Sequence, residues 1–272
     1  MKPSNLLGLD FDQIGLLALP GMKRFTQSIP EFGPIDIEDD VLAIARRGWE
    51  DRLRSEYVGV MVMRRFHGLL VDLNAPMDLQ EVALVMTLQE QQHTRLCAAA
   101  AQHLGSPLHI GFDLSELQQA RDNTPIENQL WVMIVGTLIC GEGVALELVK
   151  HCLSELPRTS FCEVLRSIAR DEVLHASLGF SLLKNLRETP SSWLPYPGDQ
   201  WITTFVRHQL KMMKQRDVVE HDEAQYFANP EYAKKLNDLG LPDSRSFIES
   251  YHRAIDHTIP QKLTKLGLSM AP

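Results

Sequence analysis

The sequence predicts an all-α fold: a four-helix bundle with one long crossover, preceded by an N-terminal arm and followed by a C-terminal helical extension. Three observations predict it. Two tetrads, Glu90-Gln91-Gln92-His93 and Glu172-Val173-Leu174-His175, each set a carboxylate and an imidazole about one helical turn apart on one face. Each tetrad follows an apolar helical stretch with a lone inward glutamate, Glu56 before the first and Glu142 before the second. Start and stop signals then cut the chain into two hairpins with short links, separated by one long connection.

The elements follow in order. Residues 1–38 hold Pro20, Pro30, Pro34 and scattered glycine, and read as an irregular arm. A first helix runs from about Asp39 to Leu73 and stops at Asn74-Ala75-Pro76. A second begins at Asp78, with Glu81 three residues on as a capping-box variant, and ends near Gly105-Ser106-Pro107. Residues 105–123 carry Gly, Pro and polar side chains and form the long connection. At up to ~3.3 Å per residue that stretch easily spans a bundle about 30–40 Å long. The third helix opens at Thr124-Pro125-Ile126-Glu127, read as a capping box with Pro at the first helical position, and closes before Pro157. The fourth starts near Ser160, with Glu163 as its box partner, and ends before Pro190. The chain thus divides into an arm (1–38), a bundle (39–189) and a helical extension packed on the bundle (190–272). The extension opens with Trp193-Leu194-Pro195-Tyr196-Pro197 and has amphipathic stretches at about 201–227 and 244–266. It suits a cover for one bundle end, a homodimer face or the wall of a substrate pocket, and the sequence does not choose among them.

The order Glu56, Glu90-x-x-His93, Glu142, Glu172-x-x-His175 is the ligand set for two metal ions inside a four-helix bundle. Depth along the helices supports it. In the second hairpin Glu142 precedes the turn by about as many residues as separate the turn from Glu172 and His175, whereas Glu56 fits the first hairpin less well. Each ligand has a rival. Glu50 competes with Glu56, but it sits beside Arg46, Arg47 and Asp51, while Glu56 shares a face with Leu53, Val60 and Met63. Glu147 competes with Glu142, but it lies near Lys150 and His151, while Glu142 stands among Ile134, Leu138, Ile139 and Ala145. An unpaired carboxylate in those apolar surroundings would cost several kcal/mol, and a metal is the simplest justification for it. For the tetrads the alternative is a surface glutamate with a satisfied core histidine. His67 falls three turns from Glu56, and His103, His109, His151, His208, His221, His252 and His257 fall outside the ligand stripes.

Three further positions stand beside this set. Asp171, just before Glu172, can accept the free ring N–H of a metal-bound histidine, His93 across the bundle, and fix its tautomer; a surface pairing with Arg170 is the alternative. Gly141 and Gly143 flank Glu142 in mid-helix, where each costs roughly 1 kcal/mol relative to Ala. They read as space for substrate or oxygen beside the ions, with a π-bulge, or else as close helix packing.

These residues, over 39–187, resemble the ferritin-like di-iron carboxylate proteins. The resemblance implies a ferritin-like bundle and two iron ions, or iron with manganese, as cofactor. It implies an oxygenase or oxidase, O₂ as co-substrate and an electron donor. Cys97, one turn after His93, stands where ribonucleotide reductase small subunits hold a radical Tyr, and a Cys there resembles the bacterial multicomponent monooxygenases instead. The position one turn before the second tetrad, a third His in the N-oxygenases of the class, is Ile168 here. Hard oxygen donors with one nitrogen per ion suit iron or manganese, and the absence of thiolate ligands argues against a closed zinc site.

Composition bounds the remaining choices. The 272 residues, 44% hydrophobic and 23% charged, are ordinary for a globular chain. A net charge of −8 argues against nucleic acid and acidic membrane surfaces as partners. The apolar run from Leu16 to Pro20 is too short for a secretion signal or a membrane span. Cys97, Cys140, Cys152 and Cys162 form no Cys-x-x-Cys pair and read as reduced thiols of a cytoplasmic protein. The expected function is a di-iron oxygenase or oxidase that hydroxylates, desaturates or cleaves a small organic substrate. The alternative is a ferroxidase or other iron-handling protein, for which Glu220, Asp222 and Glu223 would line an iron route.

Overall fold

A computed structural model describes residues 6–10, 28–107, 109–113, 123–215 and 224–270. Four long helices dominate it: α1 (Asp39–Asp72), α2 (Met77–His103), α3 (Ile126–Glu155) and α4 (Ser160–Glu188). Smaller helices follow, α5 (Asp199–Lys214), α6 (Ala224–Phe227), α7 (Pro230–Asp238), α8 (Ser244–Arg253) and α9 (Ile259–Lys265). A π-helical turn over Ala254–Thr258 joins α8 to α9.

Local chemistry sets the ends. At the end of α1, Asn74 takes φ 49°, a left-handed conformation that Asn tolerates better than most residues. This lets Ala75 N–H reach back to the Leu70 carbonyl at 2.9 Å, closing the helix with orphan carbonyls satisfied. Gly105, at φ 87°, does the same for α2, where Ser106 N–H bonds the Ala101 carbonyl at 3.0 Å. The helix starts differ from the expected ones by one or two residues. Pro76 and Pro125, both extended at ψ 141°, are the entry residues of α2 and α3, and neither end has a side-chain cap. Asp78 thus lies inside α2 rather than at its cap, and α3 enters through Pro125 rather than Thr124. A proline holds the residue before it extended, so the chain enters the helix through the proline itself. The Asp78 carboxylate accepts the adjacent Leu79 N–H instead, and α4 is capped by Thr159, not Ser160, through the N–H of Cys162.

Side-chain contacts fix the directions of the four helices. Arg46, early in α1, donates to the Leu104 carbonyl at the end of α2, while Arg65, late in α1, donates to Gln129 at the start of α3. The end of α2 and the start of α3 therefore lie near opposite ends of α1. As a result α1 and α4 run one way, and α2 and α3 the other.

The helical architecture agrees with the all-α expectation, and one short strand pair accompanies it. Leu6–Asp10 (β1) pairs antiparallel with His109–Asp113 (β2), from Leu6 opposite Asp113 to Asp10 opposite His109. Both segments were expected to be irregular, one in the arm and one in the connection. Lying outside the helices, they satisfy backbone groups by pairing with each other across a hundred residues, and no local pattern announces such a pair. The run Leu16–Pro20 and the acidic group Glu220, Asp222 and Glu223 lie outside the described residues, as does His221.

Among the described residues, the buried side chains form two apolar clusters, one at each end of the four helices. One gathers Met63, Phe66, Leu70, Met86, Trp131 and Ile134; the other gathers Ile44, Trp49, Leu53, Leu96, Phe161 and Val164. On α1 the boundary falls between Leu53 and Met63, and on α2 between Met86 and Leu96. Helix α3 is apolar enough by length and composition to cross a membrane, with mean hydropathy 1.9 in its most apolar window, yet half of that window is buried against other helices.

Candidate metal centre

Between the two apolar clusters lies a polar layer. Glu90 and Glu172 are 4% exposed, and His93 and His175 are completely buried. Level agreement along the helices puts them there. Glu56 lies sixteen residues before the end of α1 at Asp72, and His93 sixteen after the start of α2 at Met77, so the first hairpin is in register after all. In the second, Glu142 lies thirteen residues before Glu155 and Glu172 twelve after Ser160.

Among the described residues, two groups of side chains could each hold a metal ion: Glu90, Glu142, Glu172 and His175 form one, and Glu56, Glu90 and His93 the other, with ligand atoms in each within 4.8 Å of one another. Glu90 belongs to both. His93 Nδ1 stands 3.2 Å from Glu56 Oε2 and 3.6 Å from Glu172 Oε1. His175 Nδ1 stands 3.1 Å from Glu90 Oε1, 3.4 Å from Glu172 Oε1 and 4.0 Å from Glu142 Oε2. The two rings are 6.0 Å apart with Glu172 between them. The rival carboxylates are engaged elsewhere: Glu50 accepts from Ser106 and pairs with Arg54, and Glu147 pairs with Lys150.

The layer fits a cation. His93 Nδ1, His175 Nδ1 and Glu172 Oε2 are buried without a hydrogen bond of acceptable geometry, although carboxylate oxygens stand close to both nitrogens. Buried donors and acceptors are seldom left this way, and a shared ion would satisfy all three. Electrostatics point the same way. Burial pushes Glu90 up to about 7 despite its contact with His175, and burial together with the charge of Glu172 raises Glu142 well above the usual carboxylate range. For the histidines burial opposes the charge. The contacts of His93 with Asp171 and Glu56 outweigh it and raise that imidazole to about 10, and Glu172 and Glu90 raise His175 to about 11. Without an ion the cluster retains protons, and a cation could take their place.

Asp171 reaches His93 across the bundle, accepting its Nε2–H at 3.1 Å, while Arg170 donates to Ser167. Cys97 is fully buried, and burial with the nearby charges of Glu56 and Glu90 raises its thiol far above the ordinary range. The π-helix beside Glu142 extends over Met133–Gly141, and the Glu142 N–H bonds the Thr137 carbonyl five residues back. The two flanking glycines differ. A methyl on Gly141 would meet only the Gly136 carbonyl, at 3.6 Å, so space exists there; a methyl on Gly143 would press on Ile259 at 3.3 Å, which is close packing.

Two residues at the centre escaped the sequence reading. Gly59, one turn after Glu56, lies against the Glu90 carboxylate: a methyl there would stand 2.6 Å from Glu90 Cδ. A glycine in mid-helix one turn from a ligand was the available signal. Gln89 accepts the Nε2–H of His175 at 3.1 Å, a contact between two helices that no spacing within one helix discloses.

Compared with known proteins, the chain matches no family model and no curated protein.

Proposed function

We propose that this chain is a ferritin-like non-haem di-iron oxygenase or oxidase acting on a small organic molecule. One observation carries the reading: Glu90 belongs to both ligand groups, so two ion positions adjoin and share a carboxylate. Four glutamates would balance about two divalent ions, and oxygen donors with one imidazole each favour iron or manganese. Two ferrous ions held there would supply electrons to dioxygen, the chemistry needed to attack an unactivated bond.

The chain's own residues supply the rest. Glu56 and His93 would hold one ion, Glu142 and His175 the other, with Glu90 and Glu172 between. Asp171 accepts a hydrogen bond from the Nε2–H of His93, which keeps the proton on Nε2 and leaves Nδ1 free to bind metal. Ile134, Leu138, Ile139 and Ile168, all buried, keep bulk water from the layer. The up-down-down-up course of the four helices, with its single long crossover, supports the ferritin-like reading.

Anaerobic ferrous loading followed by elemental analysis should give about two ions per chain, as the six-ligand set requires. Exposure of the loaded protein to ¹⁸O₂ in single turnover, with small molecules from a cell extract, should place label in an organic product if the reaction is a hydroxylation. Substrate-independent oxidation of many Fe²⁺ ions per chain would favour iron handling instead. One ion per chain, or zinc that iron cannot displace, would remove the di-iron reading altogether.

A further inference from the structure

Two hydrogen bonds outside the ligand set obey one rule. Asp171 precedes Glu172, Gln89 precedes Glu90, and each holds the imidazole presented by the opposite tetrad. Asp171 Oδ2 receives the Nε2–H of His93 at 3.1 Å, and Gln89 Oε1 receives the Nε2–H of His175 at the same 3.1 Å. In both cases Nδ1 is left facing carboxylates: Glu56 and Glu172 for His93, and Glu90, Glu172 and Glu142 for His175. The two acceptors are equivalent in position and different in chemistry. Asp171 is a carboxylate, which only accepts and adds negative charge behind its imidazole. Gln89 is a neutral amide, and a hydrogen bond to it is roughly half as strong as one to an ion.

We infer that Gln89 is the positioning residue for His175, fixing it as an Nδ1 ligand, and that its neutral amide makes the surroundings of the two metal positions unequal. The inference rests on the metal-centre reading above. An anionic acceptor makes a ligating imidazole more basic, so the His93 ring is the better donor and the His175 ring the weaker. The position built on His175 depends for affinity on its three carboxylates, and an acid at 89 would strengthen it.

The test uses the 272-residue chain stripped of metal by a chelator and titrated with Co²⁺, with visible absorption and chelator competition resolving two binding steps. Loss of one step in His175→Ala identifies the step that belongs to His175. Gln89→Leu keeps the bulk and removes the acceptor; it should weaken that step by roughly 10–100-fold and leave the other unchanged. Gln89→Glu, of the same shape with an anionic acceptor, should restore that affinity or exceed the wild type. Asp171→Asn should weaken the other step. The melting temperature of each metal-free variant should stay close to that of the metal-free wild type, which a merely structural role would not allow. Unchanged binding in Gln89→Leu, failure of Gln89→Glu to rescue, or equal loss of both steps together with metal-free stability would overturn the inference. A wild-type chain that binds no cobalt would overturn the metal-centre reading and this inference with it. That result is distinct from a wild type that binds two ions and is indifferent to residue 89.

Discussion

Glu90 can serve two groups of ligands only because nothing occupies the space beside Gly59. A methyl on that glycine would collide with the carboxylate, but the carboxylate is the far end of a flexible chain and can swing away at small cost. Gly59→Ala should therefore leave the metal-free fold as stable as before, or up to about 1 kcal/mol more stable through helix propensity. Metal affinity should fall by at least tenfold, because Glu90 would leave the point where the two groups meet. Calorimetric titration beside a thermal melt would check this, and undiminished affinity would show that Glu90 is not the shared residue. Protonation gives a second handle. His93 and His175, raised to about 10 and 11, carry protons at pH 7, and Glu90 at about 7 is partly protonated. An ion displaces these, so loading at pH 7 should release about two protons or more and tighten as pH rises. The sign for stability follows from the raised values: the imidazolium contribution to the metal-free fold is complete below the ordinary histidine pKa of ~6.5 and is lost as pH rises through about 10 to 11. Titration in two buffers of different ionisation enthalpy counts the protons, and a count near zero would contradict the assignment of the histidines as ligands. At this scale the tetrads were readable because both members of each lie on one helix, with a period that chain geometry dictates. Gly59 offered only its place one turn from a ligand and Gln89 no signal at all, since each acts on a residue of another helix.

Helix α3 brings Glu142 to the layer through an uncommon route. Nine residues, Met133–Gly141, run in wide π turns, and the Glu142 N–H closes a five-residue loop onto Thr137. A wide turn presents residues at angles that a regular helix does not, and such turns gather at functional positions. Helix α4 has to come close to reach this segment. At Gly179 a methyl would stand 2.8 Å from both the carbonyl carbon and the Cβ of Leu138, and 2.9 Å from Ile139 Cγ1. Backbone cannot swing aside as a carboxylate can. Gly179→Ala should therefore destabilise the protein by about 1–3 kcal/mol and, by pushing on Leu138 one turn from Glu142, weaken metal binding as well. A thermal melt with unchanged midpoint would show that the two helices can separate without cost. The sequence suggested a π-bulge from the glycines flanking Glu142, and the extent of the π segment was beyond it. Gly141 and Gly143 mark only its end, and what keeps the wide turns in place is packing from elsewhere: Gly136 lies near Phe205 and Gln209 of α5, and Gly143 lies on Ile259 of α9. Helix ends were legible where a single residue decides, as at Asn74 and Gly105. They were misplaced by a residue or two where a proline opened the helix.

For the molecule as a whole, the question left by the sequence was what the last eighty residues do. The two largest buried side chains supply an answer. Trp49 on α1 and Trp131 on α3 are buried at opposite ends of the four helices, and each needs an acceptor for its indole N–H. Both acceptors come from the tail: the Leu239 carbonyl at 2.8 Å for Trp49 and the Pro195 carbonyl at 3.0 Å for Trp131. Arg187, near the end of α4, adds a clamp, pairing with Asp199 and donating to the carbonyls of Leu266 and Gly267. Ile202, Val206, Leu236, Ile255, Ile259, Leu263 and Leu268 are buried to within a few per cent, so the tail completes the core that the four helices leave open. At about 1.5–3 kcal/mol for each buried aliphatic side chain, these seven alone contribute on the order of 10 kcal/mol or more, which rivals the net stability of a whole domain. The four helices should accordingly fail to stand alone. A chain ending at residue 190 would lose both indole acceptors and expose the apolar outer face of α3; it should aggregate on expression, or keep helical circular dichroism while losing a cooperative melt and metal affinity together. A truncated chain that stays monomeric, melts cooperatively and binds metal as the full chain does would make the tail a separate appendage, and its function would then have to be sought away from the metal layer.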